Sequence, residues 1–163
     1  MLKALLPLLA IGTLCGGLLI ASDQLTAARI ADNERQFAQA QLADLLGFTP
    51  ANEPVWYQDA WQVCGGPLVV RLAEAGYGGK VAALVAVQDG RLLGMRVTAH
   101  QETPGIADFV DAPADPWRAI LRGSSAAQLA TTDAVVGATI TSRALQRLAG
   151  RAVTHTNPGE CSQ

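Results

Sequence analysis

Val81-Ala82-Ala83-Leu84-Val85-Ala86-Val87-Gln88-Asp89-Gly90-Arg91-Leu92-Leu93-Gly94-Met95-Arg96-Val97 decides the fold class. Two apolar runs, Val81 to Val87 and Leu92 to Val97, flank Asp89-Gly90, a pair that tolerates positive φ at both central positions of a tight hairpin turn. The first run is continuous rather than alternating, which predicts a strand buried on both faces. Upstream, Val55 to Val63 and Leu68 to Ala73 read as strands around Gly65-Gly66-Pro67. Downstream, His100 to Gly105 reads as a loop and Asp111 to Pro116 as a proline-punctuated linker. Trp117 to Leu121 allows one or two helical turns, and Ser124 or Ser125 can cap another helix through Leu129. A last helix is expected from near Thr141 to about Arg151, with Ala144, Leu145, Leu148 and Ala149 as its buried stripe. Together these elements give one α+β domain with an antiparallel sheet and flanking helices.

Before that domain, Ala4 to Ala21 is apolar or small throughout, and a run of about 18 such residues just reaches the hydrocarbon width of a bilayer. A transmembrane anchor over residues 1–22 is therefore expected. The rival is a cleaved secretory signal, but its apolar core would be shorter, and Leu19 is too large for a small-x-small cleavage pattern ending at Ala21. Lys3 against Asp23 favours the amino terminus inside and the domain outside. Gln24 to Leu46 has helical periodicity, with Gly47 and Pro50 as its stop, so residues 23–50 read as a stalk helix and linker and 51–163 as the domain. Twelve Lys and Arg against fourteen Asp and Glu leave no basic face for nucleic acid. Three cysteines and two histidines show no ligand spacing, so no metal site is expected. Outside the cytosol Cys64 and Cys161 are candidates for a disulfide; the alternative is two unpaired buried thiols.

Asp133-Ala134-Val135-Val136-Gly137-Ala138-Thr139, running into Ile140-Thr141-Ser142-Arg143, puts a hydroxyl beside two minimal side chains at the entry to a helix. Gly137 and Ala138 leave room for a bulky group, and free amides of the first helical turn suit an anion. A plain capped helix would use the same residues. Gly76-Tyr77-Gly78-Gly79 marks either a bulge or a close approach of backbone to a planar ligand. His100, Glu102 and Thr103 gather an imidazole, a carboxylate and a hydroxyl in one bend, which is also the composition of an ordinary solvated turn.

The Asp133 to Thr139 segment resembles the Asp-x-x-(Ser/Thr)-Gly-Ala-Thr motif of proteins whose final threonine receives FMN from a flavin transferase. Gly-Tyr-Gly-Gly, strand, Asp-Gly, strand, His-x-Glu-Thr-Pro-Gly and Gly-Ala-Thr-x-Thr-Ser follow one another in that order over about Gly76 to Leu148. This arrangement is similar to the FMN-binding domain of the RnfG (RsxG) family, whose members belong to the Rnf electron-transport complex. Val136 departs from the motif, standing where Ser or Thr is usual, and Ile106-Ala107-Asp108 replaces Leu-Gly-Asp. The resemblance implies a phosphoester of FMN on Thr139, with Gly137, Ala138, Thr141 and Ser142 around the phosphate. It further implies that Tyr77, Gly78, Gly79, His100, Glu102, Thr103 and Gly105 lie near the ribityl chain or ring, and that Asp133 serves transferase recognition. Arg143 is the nearest fixed cation for the phosphodiester or, equally, a solvent-facing helix charge. No residue is expected to act as acid, base or nucleophile in turnover, since the flavin carries the redox chemistry.

The function implied is an electron-carrying subunit of a membrane complex that couples electron transfer between ferredoxin and NAD to ion translocation. Its expected partners are the complex's other integral and peripheral subunits and a flavin transferase. Its expected location is the bacterial inner membrane, single-pass, with the domain on the periplasmic side. A close alternative is the homologous flavoprotein of a sodium-translocating NADH:quinone reductase, which uses the same threonine ester. A flavin-free, membrane-anchored assembly or interaction module is another.

Overall fold

Apolar side chains surround the first helix over residues 9–20, where Leu9, Ile11, Leu14, Leu18, Leu19 and Ile20 are all exposed. A helix without an apolar stripe has no preferred face to bury in a soluble core and suits a uniformly apolar medium. In the computed structural model, which describes residues 2–104, 108–111, 115–155 and 161, this helix is α1 (Leu2–Leu46). It is long and apolar enough to cross a membrane. The hydroxyl of Thr13 donates to the carbonyls of Leu9 and Ala10, so this polar group of the apolar stretch is satisfied inside the helix. Two compact units make up the chain, Met1–Ala40 and Gln41–Gln163.

Within the second unit the sheet has four antiparallel strands in chain order: β1 (Ala60–Gln62), β2 (Leu68–Ala75), β3 (Lys80–Gln88) and β4 (Arg91–Ala99). The β3–β4 hairpin turns at Asp89 and Gly90, with φ of 51° and 69°, the paired positive values that a two-residue turn of this hand requires. As expected of a continuous apolar run, β3 is buried on both faces. Val81, Ala83, Val85 and Val87 join the core under α5 (Thr139–Val153), where Leu145, Leu148, Ala149 and Ala152 meet them. Leu84 and Ala86 point the other way, onto a smaller core with Leu42, Leu45 and Leu46 from the end of α1 and with Trp61 and Val69.

The first strand is shorter than Val55 to Val63 suggested. Val55 and Trp56 are irregular, Tyr57 only bridges back to Ala60, and Gln58 (φ 51°) with Asp59 forms a turn between them. Trp56 is nonetheless held, with the Arg71 guanidinium 3.5 Å over its ring. Three short helices follow the sheet: α2 (Asp108–Asp111), α3 (Pro116–Leu121) and α4 (Ala126–Thr131). The Asp115 carboxylate accepts from the amides of Trp117 and Arg118 to cap α3, and Ser125 with Gln128 forms a capping box on α4. The strand edge of β4 is covered at Leu92, whose amide donates to Ser124 O and whose carbonyl accepts from Gly123. Cys64 and Cys161 are bonded, with Cα atoms 4.8 Å apart.

Candidate functional site

Helix α5 begins two residues earlier than its hydroxyl pattern suggests. Ala138 is the N-cap and offers no side-chain hydrogen bond, and no acidic residue lies in the first turn. The first intrahelical bond is the one Ser142 N donates to Ala138 O (3.0 Å), so the amides of Thr139, Ile140 and Thr141 lie ahead of the helical ladder. Thr139 is exposed, and its hydroxyl has no hydrogen-bond partner among the described residues. Beside it Gly137 stands at φ +82° with nothing within 4 Å of where a Cβ would sit.

Thr141 and Ser142 are turned the other way. Residues two apart on a helix differ by about 200° in direction, so an outward Thr139 sends Thr141 into the protein. Thr141 is buried, and its Oγ1 donates to Glu102 Oε2 at 2.8 Å. Ser142 Oγ accepts from Val135 N (3.2 Å) and donates back to Ala138 O (2.9 Å). What these two residues present to the helix entry is backbone, and their hydroxyls are already committed.

The loop leading into the helix is pinned along its length. Thr132 O accepts from Arg143 Nη1 (3.0 Å) and Gln146 Nε2 (2.8 Å), and Asp133 O accepts from Trp117 Nε1 (2.7 Å). Arg143 is thus neither a solvent-facing charge nor, in this arrangement, directed at Thr139; it fastens the loop before it. The Asp133 side chain is exposed, and Val136 at the crest of the loop is 98% exposed.

Glu102 joins three parts of the site. It is buried, and its carboxylate accepts from Tyr77 N (2.9 Å), Gly78 N (3.2 Å) and the Thr141 hydroxyl. The glycines of Gly-Tyr-Gly-Gly are explained by the same contact. A Cβ on Gly76 would run into Glu102, and one on Gly78 or Gly79 into Gln101. The backbone approach anticipated for a planar ligand is made by the protein's own loop, while the Tyr77 ring is 67% exposed. His100 Nδ1 accepts from Glu102 N (3.2 Å), which leaves Nε2 as the donor to Asp111 (2.8 Å). Thr103 is exposed, and Gly105 lies outside the described residues.

Residue types alone did not point to Arg118, which is buried on α3 with Nε and Nη2 unpartnered among the described residues. Burial lowers its pKa from the usual guanidinium value, with Asp115 pulling the other way. Nor did they single out Gln146, whose partner is a backbone carbonyl fourteen positions away.

A phosphate monoester or diester fits the entry to α5 on three counts: amides ahead of the ladder, no competing cap, and open space at Gly137 beside an exposed hydroxyl. The profile of the FMN-binding domain matches residues 76–154, from Gly-Tyr-Gly-Gly to the end of α5. The fold and site define a flavoprotein: an FMN-binding domain preceded by an apolar helix. RnfG of the ion-translocating oxidoreductase complex of Pseudomonas aeruginosa is 31% identical, over 84% of this chain and 79% of that protein. RnfG of Stutzerimonas stutzeri is 31% identical over 84% and 74%, and that of Cereibacter sphaeroides 47% identical over 28% and 22%. The chain belongs to this RnfG family.

Proposed function

We propose that this chain is an electron-carrying subunit of a membrane-bound, ion-translocating oxidoreductase complex, with FMN joined through its phosphate to Thr139. The observation that carries the reading is the uncapped first turn of α5, with the Thr139 hydroxyl exposed beside the open backbone of Gly137. Thr139 would hold the phosphoester, and the amides of Thr139, Ile140 and Thr141 would stabilise its charge. Bound FMN supplies the electron exchange by its own ring chemistry. The protein's part is to fix the phosphate end, keep Gly137 and Ala138 small beneath it, and hold the loop still through Arg143, Gln146 and Trp117. Tyr77, His100 and Thr103 lie on the same assembly of loops and are candidates for contact with the remainder of the cofactor. Gly105 belongs with them by sequence position.

Attachment by a flavin transferase balances with a flavin dinucleotide as donor. The Thr139 oxygen bonds to the FMN phosphorus, the pyrophosphate bond breaks, a nucleoside monophosphate leaves, and the hydroxyl proton passes to solvent. A tether of this kind keeps a cofactor at high effective concentration on a domain held outside the cytosol. In the same reading α1 anchors the chain in the inner membrane with the domain on the periplasmic side, among the complex's other subunits. Electrons would pass between ferredoxin and NAD through that complex, which carries out the ion translocation.

Intact-mass measurement of chain coexpressed with a flavin transferase tests the attachment. The expected result is an FMN increment and a fluorescent band on a denaturing gel, both absent in Thr139→Ala. A folded wild-type chain without the increment would favour the flavin-free module, the reading that the missing hydroxyl at Val136 supports.

A further inference from the structure

We propose that Glu102 is the positioning residue for Thr139: by gripping the Thr141 hydroxyl it sets the rotation of the first turn of α5 and so presents the Thr139 oxygen outward. The inference rests on the reading of Thr139 as the flavin attachment site. A buried carboxylate is a costly way to join two loops, and the three donors that surround it show where that cost is recovered. Tyr77 N and Gly78 N fix the carboxylate to the short loop between β2 and β3, which Gly76 N closes by donating to Gly79 O (2.7 Å) and which is anchored by the sheet rather than by the helix. Thr141 Oγ1 then ties the helix to that fixed point at 2.8 Å.

The geometry of the helix turns this grip into control of Thr139. Thr139 and Thr141 project on opposite sides of the axis, so holding one inward holds the other outward. Helix entries fray, and this one lacks the side-chain cap that ordinarily limits fraying. Ser142 supplies a second tie through Val135 N, but that tie runs to the motif loop itself rather than to the sheet. Glu102 therefore acts through Thr141 and touches neither the reacting oxygen nor the phosphorus. The same contact explains why Gly76 and Gly78 carry no side chain: a Cβ on Gly76 would displace the carboxylate, and one on Gly78 the Gln101 backbone next to it.

The test is the rate at which purified full-length chain in detergent gains the FMN mass increment from flavin adenine dinucleotide and a limiting amount of flavin transferase. Glu102→Gln leaves one acceptor oxygen for three donors, Tyr77 N, Gly78 N and the Thr141 hydroxyl, and puts an amide NH2 in place of the other; Thr141→Val removes the helix donor at nearly constant shape. Each is expected to slow loading about tenfold at a temperature where thermal melts show both folded, and the double variant no further than either single one. Thr141→Ser, which restores the hydroxyl, should return the rate to near the wild-type value. That rescue separates positioning from general stability, and the Thr141 variants alone carry the test if Glu102→Gln does not fold. Loading at the wild-type rate in Thr141→Val, or additive effects in the double variant, would overturn the proposal. A wild-type chain that never loads would instead remove the attachment reading and this inference with it.

Discussion

The Gln101 carbonyl occupies the space where Gly78 would carry a Cβ, whereas the corresponding space at Gly137 is empty and only its φ of +82° is restrictive. The two glycines should therefore respond differently to alanine. Gly78→Ala has to move backbone and is expected to cost about 2 kcal/mol or more in urea unfolding, as overpacking does. Gly137→Ala pays only for a left-handed conformation, about 1 kcal/mol, and equal losses at the two sites would contradict this account. Arg118 offers a test of opposite sign. Its guanidinium is buried with two nitrogens unpartnered among the described residues, so Arg118→Met is expected to leave stability unchanged or raise it by about 1 kcal/mol. A large loss in that variant would show that the attraction of Asp115 outweighs the cost of burying the cation. The Gly78 contact cannot be read from residue types, because it is made with Gln101, more than twenty positions away.

Elements whose signals are local were legible. The Asp89-Gly90 hairpin, the capped helix after Ser125 and the end of α1 before Gly47 each follow from adjacent residues. Where two local signals competed, tertiary contacts decided. Thr141 and Ser142 look like caps, but Glu102 and Val135 claim their hydroxyls, and the helix starts at Thr139 after Ala138, with no side-chain cap. Likewise the strand expected from Val55 starts only at Ala60, after a turn at Gln58 and Asp59 whose positive φ at Gln58 no pattern of hydrophobicity announces. Much the same separation runs through the candidate site. The hydroxyl at Thr139 and the space at Gly137 follow from the motif, whereas the clamp of Arg143 and Gln146 on Thr132 required the fold. An expectation at this scale concerns α4, whose reciprocal Ser125–Gln128 cap is complete. Ser125→Ala should cost about 1 kcal/mol in equilibrium unfolding, and no measurable change would mean that packing of Leu129 alone holds the helix.

Across the whole chain the longest covalent constraint is Cys64–Cys161, which closes a sequence separation of 97 residues and spans β2 to β4 and every helix after α1. In the chain-entropy account a loop of this size removes enough freedom from the unfolded state to stabilise the fold by about 4.7 kcal/mol. For a domain whose total stability is of order 5–15 kcal/mol, that is a substantial share. Cys64→Ser combined with Cys161→Ser should therefore lower the denaturant midpoint markedly, and reduction of the wild-type chain should lower it to nearly the same point. Each measurement guards against a weakness of the other, since serine also changes local packing and a reductant leaves the sulfurs in place. Agreement between them would assign the loss to the crosslink itself. A bond of this weight is useful only where thiols are oxidised, so the same experiment bears on which side of the membrane the domain occupies. Chain trapped in a reducing cytosol should show two additional alkylatable thiols and the lower midpoint. If chain from native membranes also showed both cysteines free, the result would count against the proposed periplasmic placement of the domain.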